Sequence, residues 1–189
     1  MRIAPVVTGF CAVLFCVVSS ARNPQASNAP STAPLILEKD EGERRIMRGW
    51  PGHPEPGENF ILKVDPKNGG SSHLVFVTAD LAPGGEIAAH KHPGADEILF
   101  LQSGTARVHL GDVVRVVHSG ATVFIPSGTW ISVSNIGKDN IILTVTFSAP
   151  GFEEFMRAGS VREGEKNLPL SPAEDAEIQK QHAHDVIYR

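Results

Sequence analysis

From Leu35 to Ala149 the chain alternates short apolar runs with glycine, proline, asparagine and aspartate. Phe60–Val64, His73–Leu81, Glu97–Gln102, Ala106–Leu110, Val113–Val117, Ala121–Ile125, Trp130–Ser134 and Asn140–Phe147 are rich in β-branched and aromatic residues. Each is too short for a helix and ends at a turn signal: Pro66–Gly70, Pro83-Gly84-Gly85, Ser103-Gly104, Gly111-Asp112, Ser119-Gly120, Pro126-Ser127-Gly128 or Asn135–Asp139. Closely and evenly spaced short strands of this kind predict an all-β sandwich or barrel. No helical pattern lies between them, which excludes a βαβ sheet.

Helical periodicity begins only after the last strand. Phe152, Phe155 and Met156 recur at helical spacing, with Glu153 and Glu154 where the helix dipole favours acids and Gly159 as the stop. Ser171-Pro172 with Glu174 predicts a second helix opened by a capping box. Its apolar stripe of Ala173, Ala176 and Ile178 is thin, so it belongs on the surface. At the other end, Arg2, the apolar stretch up to Val18 and the small residues Ser19-Ser20-Ala21 have the form of a secretory signal peptide. That apolar run is too short for a spanning helix of about 20 residues. The expected organisation is therefore a signal peptide over 1–21, a flexible leader over 22–34, a barrel over 35–149 and a helical tail over 150–189. The expected location is secreted or periplasmic, with no membrane association after cleavage.

Composition narrows the chemistry. Hydrophobic residues make up 41% of the 189-residue chain, enough for a packed core, and the formal net charge is −4. There is no basic stripe, so nucleic acid is not an expected partner. Both cysteines, Cys11 and Cys16, lie in the signal segment. The processed chain then has no disulfide, thiolate nucleophile or thiolate ligand.

The candidate chemistry lies in His90, His92 and Glu97. On a strand, residues i and i+2 share a face, so the two imidazoles point together. Pro93-Gly94 then turns the chain and Glu97 opens the next strand, which brings a carboxylate back towards them. Two imidazoles and one carboxylate suit a divalent transition metal (Fe, Mn, Ni, Cu or Zn) and leave coordination positions open. The competing reading is a buried polar cluster without an ion.

Gly84-x5-His90-x-His92-x4-Glu97-x6-Gly104 resembles the first motif of the cupin family, and Gly120-x5-Pro126-x-Gly128-x2-Ile131-x3-Asn135 resembles the second. Ala149–Arg157 is similar to the tail of small bacterial quercetin-dioxygenase-like cupins. The resemblance implies a double-stranded β-helix, a jelly-roll barrel, with one or two short C-terminal helices. It also implies a metal held by His90, His92 and Glu97 in the barrel mouth. Dioxygenase-like action on a small oxygen-rich molecule follows from the same likeness, with Glu97 as the catalytic base. The chain departs from the motif at Ile131, where the resemblance implies a third histidine. That departure keeps a second reading open, a metal-free or non-catalytic cupin that binds a small molecule.

Other residues carry blander expectations. His73, His109 and His118 read as strand-face histidines. His182 and His184 do not share a helical face and read as part of a solvated tail, with a tail folded over the barrel mouth as the alternative. Phe100, Phe124, Trp130 and Phe147 read as core or interface residues, and Ser127 has no histidine at nucleophile spacing. Apolar residues on both faces of Glu97–Gln102 leave outward surface to cover, which predicts a homodimer.

Overall fold

The computed structural model describes residues 34–189. The signal-peptide reading over 1–21, and the leader apart from Pro34, lie outside the described residues. Twelve strands and two helices follow in the order β1 (Glu43–Met47), β2 (Asn59–Val64), β3 (Val75–Leu81), β4 (Glu86–Lys91), β5 (Glu97–Ser103), β6 (Thr105–Leu110), β7 (Val113–His118), β8 (Thr122–Ile125), β9 (Ile131–Asn135), β10 (Ile141–Phe147), α1 (Phe152–Ala158), β11 (Ser160–Arg162), α2 (Pro172–Gln181) and β12 (Ile187–Tyr188). Eight of these strands coincide with the apolar runs of the sequence. Two antiparallel sheets result, a seven-stranded one ordered β11-β1-β2-β3-β10-β5-β8 and a five-stranded one ordered β12-β4-β9-β6-β7. This is the cupin jelly roll.

Alternation sets which side of each strand meets the core. In β5, Glu97, Leu99 and Leu101 are buried while Ile98, Phe100 and Gln102 face out. The inward rows of both sheets, including Leu62, Val77, Leu143, Val108 and Val133, form one cluster. Gly104 turns β5 into β6 at φ 91°, where a Cβ would come within 2.6 Å of the Ile141 side chain. That combination of left-handed backbone and close approach admits glycine alone. On the outer face Ile98 pairs with Phe124, and both stay exposed together with Phe100. The apolar outward surface expected for β5 is thus present. Phe147 is a core residue. Trp130 instead lies beneath two cations, Lys91 at 5.0 Å and Arg189 at 4.2 Å from the ring centre.

The helical tail is fastened to the barrel by ions. Arg157 of α1 donates to Glu43 of β1 at 2.7 and 2.9 Å, to Asp65 after β2 at 2.5 Å and to Glu154 at 2.9 Å. Asp65 is fully buried. Burial alone would lower the pKa of Arg157, but its hydrogen bonds to Glu43 and Asp65 outweigh that and hold the guanidinium charged. Lys63 is buried too, its ammonium donating to the carbonyls of Glu38, Lys39 and Glu41. That arrangement clips the segment before β1 onto β2. The second helix opens as expected: Ser171 Oγ accepts from the Glu174 amide, and the Glu174 carboxylate accepts from the Ser171 amide. None of its residues is buried.

Breaking a buried ion pair strands the remaining charge. Arg157→Ala is expected to lower the unfolding free energy by about 3–5 kcal/mol. Lys166→Ala, at an exposed position, should change it by less than about 0.5 kcal/mol. Urea denaturation of both variants measures the difference.

Candidate metal centre

The register of the five-stranded sheet builds the site. His90 sits on β4 between two partners, opposite Ile131 of β9 on one side and Tyr188 of β12 on the other. His92 lies just beyond the end of β4, where its carbonyl accepts the Gly128 amide at 2.8 Å. The turn after it is tied down by Ser127, whose hydroxyl donates to the Pro93 carbonyl at 2.7 Å and whose amide donates to Asp96 at 2.8 Å. Ser127 is thus a loop fastener, in keeping with its lack of a nucleophile's partners. Glu97 then opens β5 on the inward side, paired with Phe147 and Ile125. All three candidate ligands are buried, and one donor atom from each lies within 4.8 Å of the others.

Hydrogen bonds fix the orientation of each ring. His90 Nδ1 lies 2.8 Å from the Ala88 carbonyl and His92 Nδ1 lies 2.9 Å from the Asp185 carbonyl. A carbonyl only accepts, so both Nδ1 atoms carry the proton and both Nε2 atoms present lone pairs. His92 Nε2 and Glu97 Oε2 are 3.5 Å apart, and neither has a hydrogen-bond partner. Two ligands each about 2.1 Å from one ion stand roughly 3.0–3.4 Å apart in octahedral or tetrahedral geometry. The observed spacing is close to that range. Burial raises the Glu97 pKa to about 8. Burial, with the neighbouring His90, lowers that of His92 to about 3. Burial likewise lowers His90. In the metal-free chain the 3.5 Å contact is therefore a meeting of a neutral imidazole with a neutral acid, not an ion pair. An inward carboxyl, two aligned lone pairs and two orphaned atoms fit a cation, which would satisfy all of them at once.

Ile131 fills the wall opposite His90 and is 1% exposed. It lines the same cavity of about 50 Å³ as His90 and Glu97. The position that the motif resemblance gives to a third histidine is thus occupied by hydrocarbon beside the cluster. Aromatic rings close the remaining sides: Phe152 and Phe147 stand edge-on to His92 at 4.4 and 4.9 Å, and Tyr188 is 5.4 Å from His90.

The tail does fold over the barrel mouth. Residues 182–189 run from α2 back to β4, and the Asp185 carbonyl reaches His92. The Asp185 carboxylate meets His182 at 3.3 Å and His184 at 3.2 Å. Gly151, at φ 140°, lets that carboxylate approach; a Cβ there would sit 2.1 Å from Asp185 Oδ1. His182 packs edge-on to Phe155 at 6.0 Å, whereas the His184 side chain is 76% exposed. Neither histidine joins the cluster of candidate ligands. His73, His109 and His118 also lie outside it. Gln102 donates to Thr144 on the outer face. Sequence reasoning missed Asp185, Tyr188, Phe152 and Glu58 as site residues. The only available signal was the apolar Val186-Ile187 before the chain's single tyrosine, a short β-type run in an otherwise polar tail.

Comparison with known proteins agrees with this architecture. Residues 77–147 match the family described as the cupin domain. A germin-like protein of Morus alba is 40% identical over 76 residues, covering 38% of this chain and 36% of that protein. Germin-like protein 1 of Brassica napus is 29% identical over 156 residues, covering 74% of this chain and 72% of the relative. Among solved structures, a protein described as a predicted oxalate decarboxylase from Thermotoga maritima superposes with a TM-score of 0.54 at 18% identity. That superposition covers 61% of this chain and all of the other, and establishes the shared fold.

Two outcomes are expected. Glu97 has its folded pKa raised, so its contribution to stability is complete at low pH and is lost as pH rises towards 8. The lowered pKa of His92 gives a contribution lost as pH falls from about 6.5 towards 3. Above pH 6.5 only the Glu97 effect of this pair remains. Metal-free protein should then lose up to about 1.4 kcal/mol per pH unit between 6.5 and 8. A bound divalent ion, which requires the carboxylate, should flatten the slope. Chemical denaturation across that range with and without metal is the measurement. Deleting residues 183–189 removes the acceptor for His92 Nδ1 and should weaken metal binding about 10–100-fold, read by calorimetric titration.

Proposed function

We propose that this cupin-fold protein holds one divalent transition metal on His90, His92 and Glu97 and acts on a small oxygen-rich molecule in an oxygenase-like reaction. The observation that carries this reading is the pair of buried, unpartnered atoms, His92 Nε2 and Glu97 Oε2, 3.5 Å apart. Leaving two such groups unsatisfied in a barrel core costs about 1–3 kcal/mol each. A bound cation removes that cost, and with it the reason for Glu97 to keep its proton. When present, the ion supplies a Lewis-acidic centre with open positions for substrate. The chain supplies the rest. Ala88 and Asp185 hold the imidazoles in the ligating tautomer. Ile131, Phe147 and Phe152 exclude bulk water. Glu97, once ionised, is a carboxylate able to take a proton from a bound substrate.

A second reading, a metal-free cupin that binds a small molecule, draws on Ile131. A hydrocarbon wall in register with His90 leaves three ligands and makes the cavity mostly apolar. Relatives named as germin-like fit either reading. We further propose that the chain is exported, on the strength of the 1–21 segment, and that Ile98, Phe100 and Phe124 form part of a homodimer contact. Among the described residues no helix is long and apolar enough to cross a membrane.

Metal analysis separates the readings. Purified protein loaded with Mn(II), Fe(II), Ni(II), Cu(II) or Zn(II) should retain about one ion per chain with at least one of these metals. Glu97→Gln and His90→Ala should retain well under half of that while keeping their β-rich circular dichroism. Equal and low metal content in all three proteins would replace the catalytic reading with the binding one.

A further inference from the structure

His90, His92 and Glu97 are only 5%, 2% and 4% exposed. The cavity beside them, about 50 Å³, has room for roughly one or two waters. A hydrated divalent ion, with about six waters in its shell, is larger than that. Loading the cluster therefore requires part of its cover to move. Two covers lie over it. Phe152, at the start of α1, stands against both histidines, and residues 182–189 run across from α2 to β4. The first cover is bolted down, because Arg157 ties α1 to Glu43 and to the fully buried Asp65. The second is fastened differently.

The chain is pinned as far as Leu170. That residue is buried and its amide donates to the Gly49 carbonyl at 2.7 Å, while Arg48 Nε donates to the Leu168 carbonyl at 2.7 Å. From Ser171 onward the hold weakens. No residue of α2 is buried. Arg48 meets Glu174 at 3.3 Å, but about half of the Glu174 side chain is exposed, so the ion pair carries little energetic weight. His182 adds an edge contact to Phe155 at 6.0 Å. The far part of the segment grips harder. Val186 is buried, and Ile187 and Tyr188 pair with Lys91 and His90. The Arg189 amide donates to the Ala89 carbonyl at 3.1 Å, and its guanidinium lies over Trp130. An exposed helix between a fixed point and a short buried grip has the form of an arm with a latch.

We propose that residues 171–189 are a hinged arm, pivoting after Leu170 and latched by residues 185–189, that opens to admit an ion to His90, His92 and Glu97 and that a bound ion locks shut. The lock is the 2.9 Å contact between His92 Nδ1 and the Asp185 carbonyl. Opening takes that acceptor away from a ligating ring, so the open form binds an ion less well. By reciprocity the ion favours the closed form by the same factor. This inference rests on the metal reading above and deepens it, by naming the route of entry and the contact that couples the two events.

Ile187 and Lys91 stand opposite each other in an antiparallel pair. Cα atoms so placed are about 4.5–5.5 Å apart, within reach of a disulfide. Ile187→Cys/Lys91→Cys is made together with Cys11→Ser and Cys16→Ser, so that the new pair holds the only thiols. Co(II), which has a visible spectrum, is the ion, and its uptake is followed by stopped-flow absorbance. With the thiols reduced, the protein should load at the rate of the unmodified chain. With the disulfide formed, uptake and release should slow about 100-fold or more. Equal rates in the two forms overturn the proposal, and so does failure of the pair to crosslink on oxidation. Hydrogen exchange on the unmodified protein is the second measurement. Without metal, residues 185–189 should exchange about tenfold or more faster than residues 155–159 of the fixed cover. Co(II) should slow residues 185–189 about tenfold or more and leave residues 155–159 within about threefold. Equal exchange of the two segments without metal, or no slowing of residues 185–189 by bound Co(II), overturns the proposal. If the unmodified protein takes up no Co(II), the metal reading fails and the proposal with it, a result distinct from Co(II) that loads equally fast in the bonded and reduced forms.

Discussion

Three ionisable side chains share a dry space at the mouth of the barrel, and the rest of the structure is arranged around that constraint. Without a cation, His90 and His92 are held neutral and Glu97 is held protonated by the same burial. Each ring spends its Nδ1 proton on a main-chain carbonyl, so the remaining lone pairs can only point inward. The arrangement is poor as a hydrogen-bonded cluster and well suited to an ion. Poor internal satisfaction in the core of a folded domain is the usual mark of a group with an external partner.

The antiparallel register gives this constraint its geometry. Because β4 is flanked by β9 and β12, one wall of the site is set by Ile131 and the other by Tyr188. Because β5 alternates, Glu97 shares its face with Leu99 and Leu101 and cannot reach solvent without a register slip that would expose both leucines. The charge network around Arg157 performs a different service at the opposite end of α1. It joins β1, the turn after β2 and α1, and so fixes the helix whose first residue, Phe152, packs against both histidines.

Much of this was legible in the amino-acid order. Period-two alternation and glycine-rich turns marked eight strands, and the spacing of His90, His92 and Glu97 marked the cluster. The strand β1 escaped because Arg44 and Arg45 interrupt its apolar pattern. Arg45 makes up for this by donating to Ser160 and to the Arg157 carbonyl, partners that only tertiary folding brings near. Trp130 reads from the sequence as a core or interface residue; in the fold it is half-buried under Lys91 and Arg189, the second of which arrives with the tail. Asp185 acts through its main-chain oxygen, and no residue type advertises that role.

The distance along the chain between His92 and its carbonyl partner has a temporal meaning. The two are 93 positions apart. At about 5–20 residues per second, the ribosome takes roughly 5–20 s to make the stretch between them. During that interval both imidazoles and Glu97 have been made while the segment that will seal them has not. The order of manufacture thus leaves the centre unroofed before it is capped.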